Sequence, residues 1–158
     1  MGDSLKINIR KLIISILIPV LLGGLVGVLT QAGSNYNDLI QPSFAPPSIL
    51  FPIVWTILYT LMGISSYIVS ESNSYHKDEA LFIYYVQLIV NLLWSFIFFS
   101  FGWLFVSFIW ILFLIILVII MIKKFYSISK VSALIQIPYL LWLIFASILN
   151  LSIFFLNR

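Results

Sequence analysis

Five long apolar runs without a charged side chain constrain this chain more than any other feature. They cover about residues 12–30, 48–70, 80–100, 103–122 and 131–156. A helix needs about 20 residues to cross roughly 30 Å of hydrocarbon, so each run is long enough to span a bilayer. Charged residues make up 8% of the chain, against about 25% in soluble domains, which is too few to build a water-soluble surface. The sequence predicts a single-domain, all-α membrane protein built as a bundle of five transmembrane helices.

Lys and Arg residues are distributed unequally between the two sides of the predicted bundle. The side with the N-terminal tail holds Lys6, Arg10, Lys11, Lys77, Lys123, Lys124 and Lys130. The opposite side holds only Arg158. By the positive-inside rule, we expect a cytoplasmic N-terminus and a C-terminus outside. Because the positive charges lie at helix ends, where topology requires them, we expect contact with the lipid bilayer and no nucleic-acid partner.

The apolar runs exclude several classes of function. Proton relays and ion pathways depend on charged groups within the membrane, and these runs have none. The single histidine, His76, lies in a charged loop beside Lys77 and is expected to be solvated. Without cysteines or buried acid–base pairs, we expect no metal site, no cofactor and no conventional catalytic residues. Any chemistry would have to use aromatic rings, amides and hydroxyls.

A polar stripe follows the third run. Gln87, Asn91 and Ser95 are four residues apart and therefore share one helix face, with Trp94 beside them. An amide in hydrocarbon needs a hydrogen-bond partner, which favours bonds between helices for Gln87 and Ser95. Asn91, at the centre of the stripe, is predicted either to line a pocket or to join helices.

Two tryptophans lie well inside their runs. Trp55 and Trp142 are a third to a half of the way into the second and fifth runs, whereas membrane tryptophans usually lie at the interfaces. An indole there offers a flat stacking face and an N–H that needs a partner. The small residues Gly63 and Ala146 nearby are predicted to leave room for a planar guest.

Glycines and prolines predict how the helices pack and bend. The Gly23-xxx-Gly27 pair favours close helix packing, with dimerisation as the alternative. Pro19, Pro52 and Pro138 lie within apolar runs and are expected to kink helices without breaking them. Gly102 is the one strong breaker between the third and fourth runs and requires a tight turn.

The loop over about residues 31–47 is stiffened by three prolines. Pro42, Pro46 and Pro47 restrict its backbone, and Tyr36 adds apolar mass. We expect this segment, called the lid below, to fold over the helix bundle, although a plain interfacial connector is the alternative.

Three segments closely resemble the translocator protein family, also called TspO/MBR, tryptophan-rich sensory proteins or peripheral-type benzodiazepine receptors. They are DLIQPSFAPPSILFPIVWTILYTLMG at 38–63, QLIVNLLWS at 87–95 and PYLLWLIFASILN at 138–150. Their order and spacing, together with the five runs, extend the resemblance over nearly the whole chain.

The resemblance implies a membrane receptor or carrier with a ligand cavity under the first loop. Family ligands include porphyrins such as protoporphyrin IX and haem and, in some members, cholesterol and isoquinoline or benzodiazepine drugs. The motif positions imply that the ligand-binding residues are Tyr36, Pro46, Trp55, Asn91, Trp94, Trp142 and Ala146.

The resemblance also leaves alternatives open. Some bacterial members degrade porphyrin in light through the tryptophans that match Trp55 and Trp142, so a light-dependent enzyme is one alternative and a membrane scaffold without a small ligand is another. The family's sterol motif lacks its tyrosine here, because Phe154 and Phe155 precede Arg158, so we do not expect tight cholesterol binding. Family members are commonly homodimers, but the oligomeric state of this chain stays open.

Overall fold

The computed structural model describes residues 7–31 and 36–158, and these residues are predominantly helical. Its helices are α1 (Ile9–Gln31), α2 (Leu50–Ser70), α3 (Lys77–Ser95), α4 (Leu104–Ile128), α5 (Lys130–Leu134) and α6 (Ile137–Leu156). A π-helical turn, Phe96–Ser100, extends α3, and α5 and α6 together form the last span. Five spans are long and apolar enough to cross a membrane, which confirms the predicted all-α five-helix bundle.

Successive spans run in opposite directions, which gives the bundle two chemically different ends. At one end Lys11 pairs with Glu71, joining α1 to α2. Lys124 pairs with Glu79 at 2.6 Å and joins α4 to α3 at the same end. We call this the basic end, and the opposite end, where the lid enters α2, the lid end.

The core lies between α2, α3, α4 and α6. Helix α4 shows why, since its buried positions recur every three or four residues and so form one stripe. These positions are Ser107, Ile111, Leu114, Val118, Met121 and Phe125. Helix α1 is different, because Pro19 and Thr30 are its only buried residues. Many other apolar side chains of α1 are exposed, and in a bilayer they face lipid.

Glycines bring α1 and α2 together. A Cβ on Gly63 would lie 2.4 Å from the Cα of Ile16, so this glycine allows α1 to pack against α2. The structure therefore contradicts the prediction that Gly63 leaves room for a planar guest. Gly23 packs against the ring of Tyr59 in the same way, whereas a Cβ on Gly27 would meet open space. Close packing therefore accounts for Gly23, and dimerisation through the pair stays a prediction.

The prolines act differently from one another. Pro52 lies in the first turn of α2, where a missing N–H costs nothing. Before Pro138 the last span is interrupted at Ile135 and Gln136, where a kink was expected. The physical reason is that Pro138 has no N–H to offer the carbonyl four residues earlier, so the helix ends and restarts with the proline in its first turn.

The connections on either side of α4 are short. Gly102 has φ of +64° and makes the turn between the π-helical segment and α4, a conformation that favours glycine. At the basic end α4 continues to Ile128, so most of the loop expected at 123–130 is helical. The long side chains of Lys123 and Lys124 allow this extension, since their charged ends reach the interface while the helix continues.

Candidate functional site

A cavity of two adjoining chambers opens at the lid end. The upper chamber has a volume of about 400 Å³ and lies between the lid, α2, α3 and α6. Its lining residues are Gln31, Tyr36, Asn37, Ser48, Ile49, Phe51, Pro52, Trp94, Phe98, Phe99, Ala146, Leu149, Asn150 and Ile153.

The deep chamber has a volume of about 330 Å³ and lies between α1, α2, α3 and α6. Its lining residues are Val20, Gly23, Gly24, Gly27, Val28, Thr30, Gln31, Phe51, Pro52, Trp55, Thr56, Tyr59, Trp94, Ser95, Phe99, Trp142 and Ala146. The chambers share walls made by Gln31, Phe51, Pro52, Trp94, Phe99 and Ala146. A guest long enough to pass these shared walls would occupy both.

Trp55 and Trp142 both line the deep chamber. The Trp55 ring lies 5.4 Å from that of Tyr59 at an angle of 30°, and Phe51 meets Trp142 edge to face at 5.9 Å. The indole N–H of Trp142 is buried and has no hydrogen-bond partner among the described residues. This chamber therefore has flat aromatic walls.

Trp94 borders both chambers and is held in place from two sides. Its ring stacks on Phe98 at 5.1 Å and 20°. Its indole N–H donates to the Oδ1 of Asn150 at 3.3 Å, and the hydroxyl of Ser107 donates to the same oxygen at 3.0 Å. The Asn150 amide in turn donates to the carbonyl of Leu104 at 2.9 Å. Asn150 thus fixes Trp94 and ties α6 to α3 and α4.

The lid covers the upper chamber with an aromatic contact. Tyr36 lies within a group of three phenylalanine rings, at 6.3 Å from Phe51, 5.9 Å from Phe98 and 5.5 Å from Phe99. Burial raises the pKa of the Tyr36 hydroxyl, so it stays neutral at physiological pH. Further along the lid, Phe44 meets Phe145 at 6.4 Å. The described residues of this segment thus pack against the bundle, and its action as a lid stays a prediction.

Asn91 lies outside the lining of both chambers. It accepts a hydrogen bond from the Tyr59 hydroxyl and donates one to the Tyr139 hydroxyl, each at 2.8 Å. Tyr139 donates onward to the Oε1 of Gln87 at 2.8 Å. These bonds connect α2, α3 and α6, so of the two roles predicted for Asn91 the structure shows the joining of helices. Gln87 joins helices as predicted.

The structure brings together five of the seven residues predicted to bind ligand. Tyr36, Trp55, Trp94, Trp142 and Ala146 border one or both chambers. Pro46 is half-buried in the lid and, like Asn91, lines neither chamber.

Sequence reasoning missed several lining residues, chiefly Phe98 and Phe99. In the sequence they look like lipid-facing residues of an apolar run. The signal that identifies Phe98 is its position four residues after Trp94, on the same helix face. Asn150 ends the third resembling segment, 138–150, but is not among the predicted ligand-binding residues.

The cavity is electrically neutral. Among the described residues that line either chamber, none carries a charged side chain. Its polar groups are amides, hydroxyls and indole N–H groups, which can orient a guest by hydrogen bonds while its affinity comes from burial of apolar surface.

Comparisons with known proteins agree over nearly the whole chain. The sequence model of the TspO/MBR family matches residues 15–156. The tryptophan-rich protein TspO of Archaeoglobus fulgidus is 40% identical over 153 residues, which are 95% of this chain and 99% of that protein. The protein CrtK of Rhodobacter capsulatus is 35% identical over 136 residues, 85% of each chain. The translocator protein of Bos taurus is 30% identical over 138 residues, covering 82% of this chain and 80% of that protein. The chain is therefore a member of the TspO/MBR family of multi-pass membrane proteins.

Proposed function

We propose that this protein is a membrane receptor or carrier that binds tetrapyrroles such as protoporphyrin IX or haem, and related flat apolar ligands such as isoquinolines, in the two-chamber cavity. The observation that carries the proposal is the deep chamber, in which Trp55 and Trp142 both line one neutral space. A macrocycle presents two broad apolar faces, and each Å² of apolar surface that it buries contributes roughly 25 cal/mol.

The size of the cavity supports a ligand of this class. Small-molecule sites usually occupy about 300–1,000 Å³. Each chamber reaches the lower part of that range, at about 400 and 330 Å³. A guest that occupies both chambers, which adjoin at Ala146, would fill a volume in the middle of that range. Such a volume suits a large planar molecule.

The proposal is tested with a double variant, Trp55→Phe with Trp142→Phe, in lipid nanodiscs. We expect protoporphyrin affinity to fall at least about tenfold, which corresponds to 1.4 kcal/mol, because two indole stacking faces are replaced by smaller phenyl rings. The measurement is a fluorescence titration of tryptophan quenching by protoporphyrin. Trp103→Phe is the matched control, because Trp103 is exposed and lines neither chamber.

A second variant separates loss of the site from loss of the fold. Ala146→Leu adds bulk at the wall that the two chambers share. We expect it to block protoporphyrin binding while thermal unfolding remains cooperative. Unchanged affinity in both the double variant and Ala146→Leu would overturn the proposal and favour a scaffold without a small ligand.

The pair of indoles in one chamber also favours a second candidate, light-dependent oxidation of the bound porphyrin. Dissolved O2 would be the oxidant. An excited porphyrin between Trp55 and Trp142 would take an electron from an indole and pass it to O2, and the indole radical would then oxidise the macrocycle. Illumination of the complex in air should give a new absorbing product that the double variant does not form. Bleaching identical to that of porphyrin in detergent alone would refute this activity.

We also propose that the basic end is cytoplasmic and the lid end faces outside. The support is the charge distribution, since seven of the eight Lys and Arg residues belong to the side of the N-terminal tail. The family resemblance also implies a homodimer, which stays a proposal for this chain.

A further inference from the structure

We propose that Asn157 is a latch that holds the lid closed and so sets how fast ligand enters and leaves the cavity. The inference rests on the proposed function only for the identity of the ligand that passes under the lid. The latch itself stands on a contact between the lid and the end of α6.

A single side-chain amide binds both backbone polar groups of one lid residue. The Ile40 N–H donates to the Oδ1 of Asn157 at 2.9 Å. The Nδ2 of Asn157 donates back to the carbonyl of Ile40, also at 2.9 Å. The two bonds run in opposite directions, as between paired strands, and they connect residues 117 positions apart.

The Asn157 side-chain amide is also hydrogen-bonded to its own helix. The second hydrogen of Nδ2 is donated to the carbonyl of Ile153 at 2.8 Å, one turn earlier in α6. Both donors and the acceptor of the Asn157 side chain are therefore used, and its orientation is fixed before the lid arrives. An amide fixed in this way loses little conformational freedom when the lid closes.

The rest of the contact between the lid and the bundle is apolar. Over residues 36–47, the hydrogen bonds from the lid to the helices are those of Ile40 with Asn157, apart from the turn by which the lid enters α2. The other contacts are made by side chains such as Tyr36, Leu39 and Ala45. Apolar contacts resist separation but tolerate sliding, whereas two opposed hydrogen bonds hold one position. The latch is thus the contact that defines the closed register of the lid.

The latch lies beside the ligand route. Tyr36, four residues before Ile40, lines the upper chamber and contacts Phe98 and Phe99. Ile153, which holds the Asn157 amide, lines the same chamber. Release of Ile40 would allow Tyr36 to leave its aromatic group and open the chamber toward the lid end.

The first test measures the latch without any ligand. In nanodiscs, hydrogen–deuterium exchange of the Ile40 amide should be roughly five- to thirtyfold faster in Asn157→Ala than in the unmodified chain, the range expected for loss of one or two weak hydrogen bonds. Asn157→Asp retains the acceptor and loses both donors, so its effect should be intermediate. Ser152→Ala is the control, because its hydroxyl bonds within α6 and is exposed. Unchanged exchange at Ile40 in Asn157→Ala would overturn the proposal.

The second test measures exchange of the guest. Asn157→Ala should speed release of bound protoporphyrin, whereas Ser152→Ala should leave the release rate unchanged. Because the chain has no cysteines, the pair Ile40→Cys and Asn157→Cys can be joined by a short thiol cross-linker at one defined place. The joined form should release protoporphyrin more slowly, and cutting a cleavable linker should restore the rate.

The outcomes separate the latch from the proposed function. If Ile40 exchange responds and protoporphyrin never binds, the latch stands and the tetrapyrrole assignment fails. If protoporphyrin binds but leaves the joined form at the unmodified rate, the guest does not pass under the lid and the latch proposal fails. If Asn157→Ala lowers the unfolding temperature without changing exchange at Ile40, Asn157 only caps α6 and the proposal again fails.

Discussion

Single polar atoms in the apolar interior decide how the helices meet. The ring of Tyr59 lines the deep chamber, and its hydroxyl donates a hydrogen bond to Asn91. The Asn91 amide in turn donates a hydrogen bond to the Tyr139 hydroxyl. In hydrocarbon each of these groups would be costly without its partner. The floor of the cavity is therefore set by a chain of uncharged hydrogen bonds rather than by packing alone.

Removing one hydroxyl from this chain should destabilise the protein. Tyr59→Phe leaves the Oδ1 of Asn91 without its donor, at a cost of about 1–3 kcal/mol. We expect a lower midpoint in thermal unfolding in detergent. Tyr85→Phe is the control, because Tyr85 is 46% exposed on the neighbouring helix. Equal midpoints for the two variants would show that the Tyr59 hydroxyl contributes no stability.

A methyl group on Gly63 should separate α1 from α2. The new Cβ would lie 2.4 Å from the Cα of Ile16, a backbone atom that cannot turn aside. We expect Gly63→Ala to cost about 1–3 kcal/mol, the usual penalty of overpacking. Gly24→Ala, where nothing lies within 4 Å, should be neutral or slightly stabilising because alanine favours helix. Chemical denaturation in detergent measures both, and a stable Gly63→Ala variant would contradict the close approach.

At the scale of helices, the backbone is less regular at helix ends and breaks than the continuous apolar runs of the sequence suggest. The π-helical turn at Phe96–Ser100 carries Phe98 and Phe99 into the cavity wall, and Gly102 then reverses the chain. The break at Ile135 and Gln136 lets α6 start a new helix with its Trp142 face directed at the deep chamber. Irregular backbone thus occurs where the helices must present aromatic side chains.

The turn at Gly102 should tolerate side chains in a predictable order. With φ of +64°, an alanine would be strained by about 1–2 kcal/mol. Asparagine visits this conformation more readily, so Gly102→Asn should lose less stability than Gly102→Ala. Thermal unfolding of the two variants measures the order, and the reverse order would mean that the turn relaxes out of the left-handed conformation.

The sequence predicted the spans better than their details, for a physical reason. The length of an apolar run and its lack of charged residues are enough to predict a span. The five spans could therefore be predicted from the sequence alone. Whether a residue lines the cavity depends on neighbours from other helices. Trp55 and Trp142 were recognised because an indole deep in a membrane is unusual, but Phe98 looks like any lipid-facing phenylalanine. Gly63 was misassigned because a glycine shows that something comes close without showing whether it is a guest or a helix.

At the scale of the molecule, the bundle is asymmetric along the membrane normal. Ion pairs join the helices at the basic end, whereas the lid end holds the cavity and an apolar lid. The basic half is filled by buried side chains such as Met62, Val118 and Met121. The cavity therefore lies in the lid-end half of the bundle.

The orientation of this asymmetry can be measured with single cysteines. In right-side-out vesicles, a membrane-impermeant maleimide should label Ser43→Cys in the lid and leave Asn73→Cys, between α2 and α3, unlabelled until the vesicles are opened. Both positions are exposed, and no native cysteine competes. Labelling in the opposite order would reverse the proposed topology and overrule the charge count.

The neutral lining of the two chambers has one more consequence, for guests that are ionised at one edge. A carboxylate pushed into an insulating space without a counter-ion would lose its hydration and gain too little in return. A dicarboxylic porphyrin should therefore bind edge-on, with its hydrophobic rim inserted first and its acid groups left at the mouth in water. Its dimethyl ester has no such preference and should bind at least as tightly. In a macrocycle held this way, solvent would reach the acid edge while the opposite edge stayed dry.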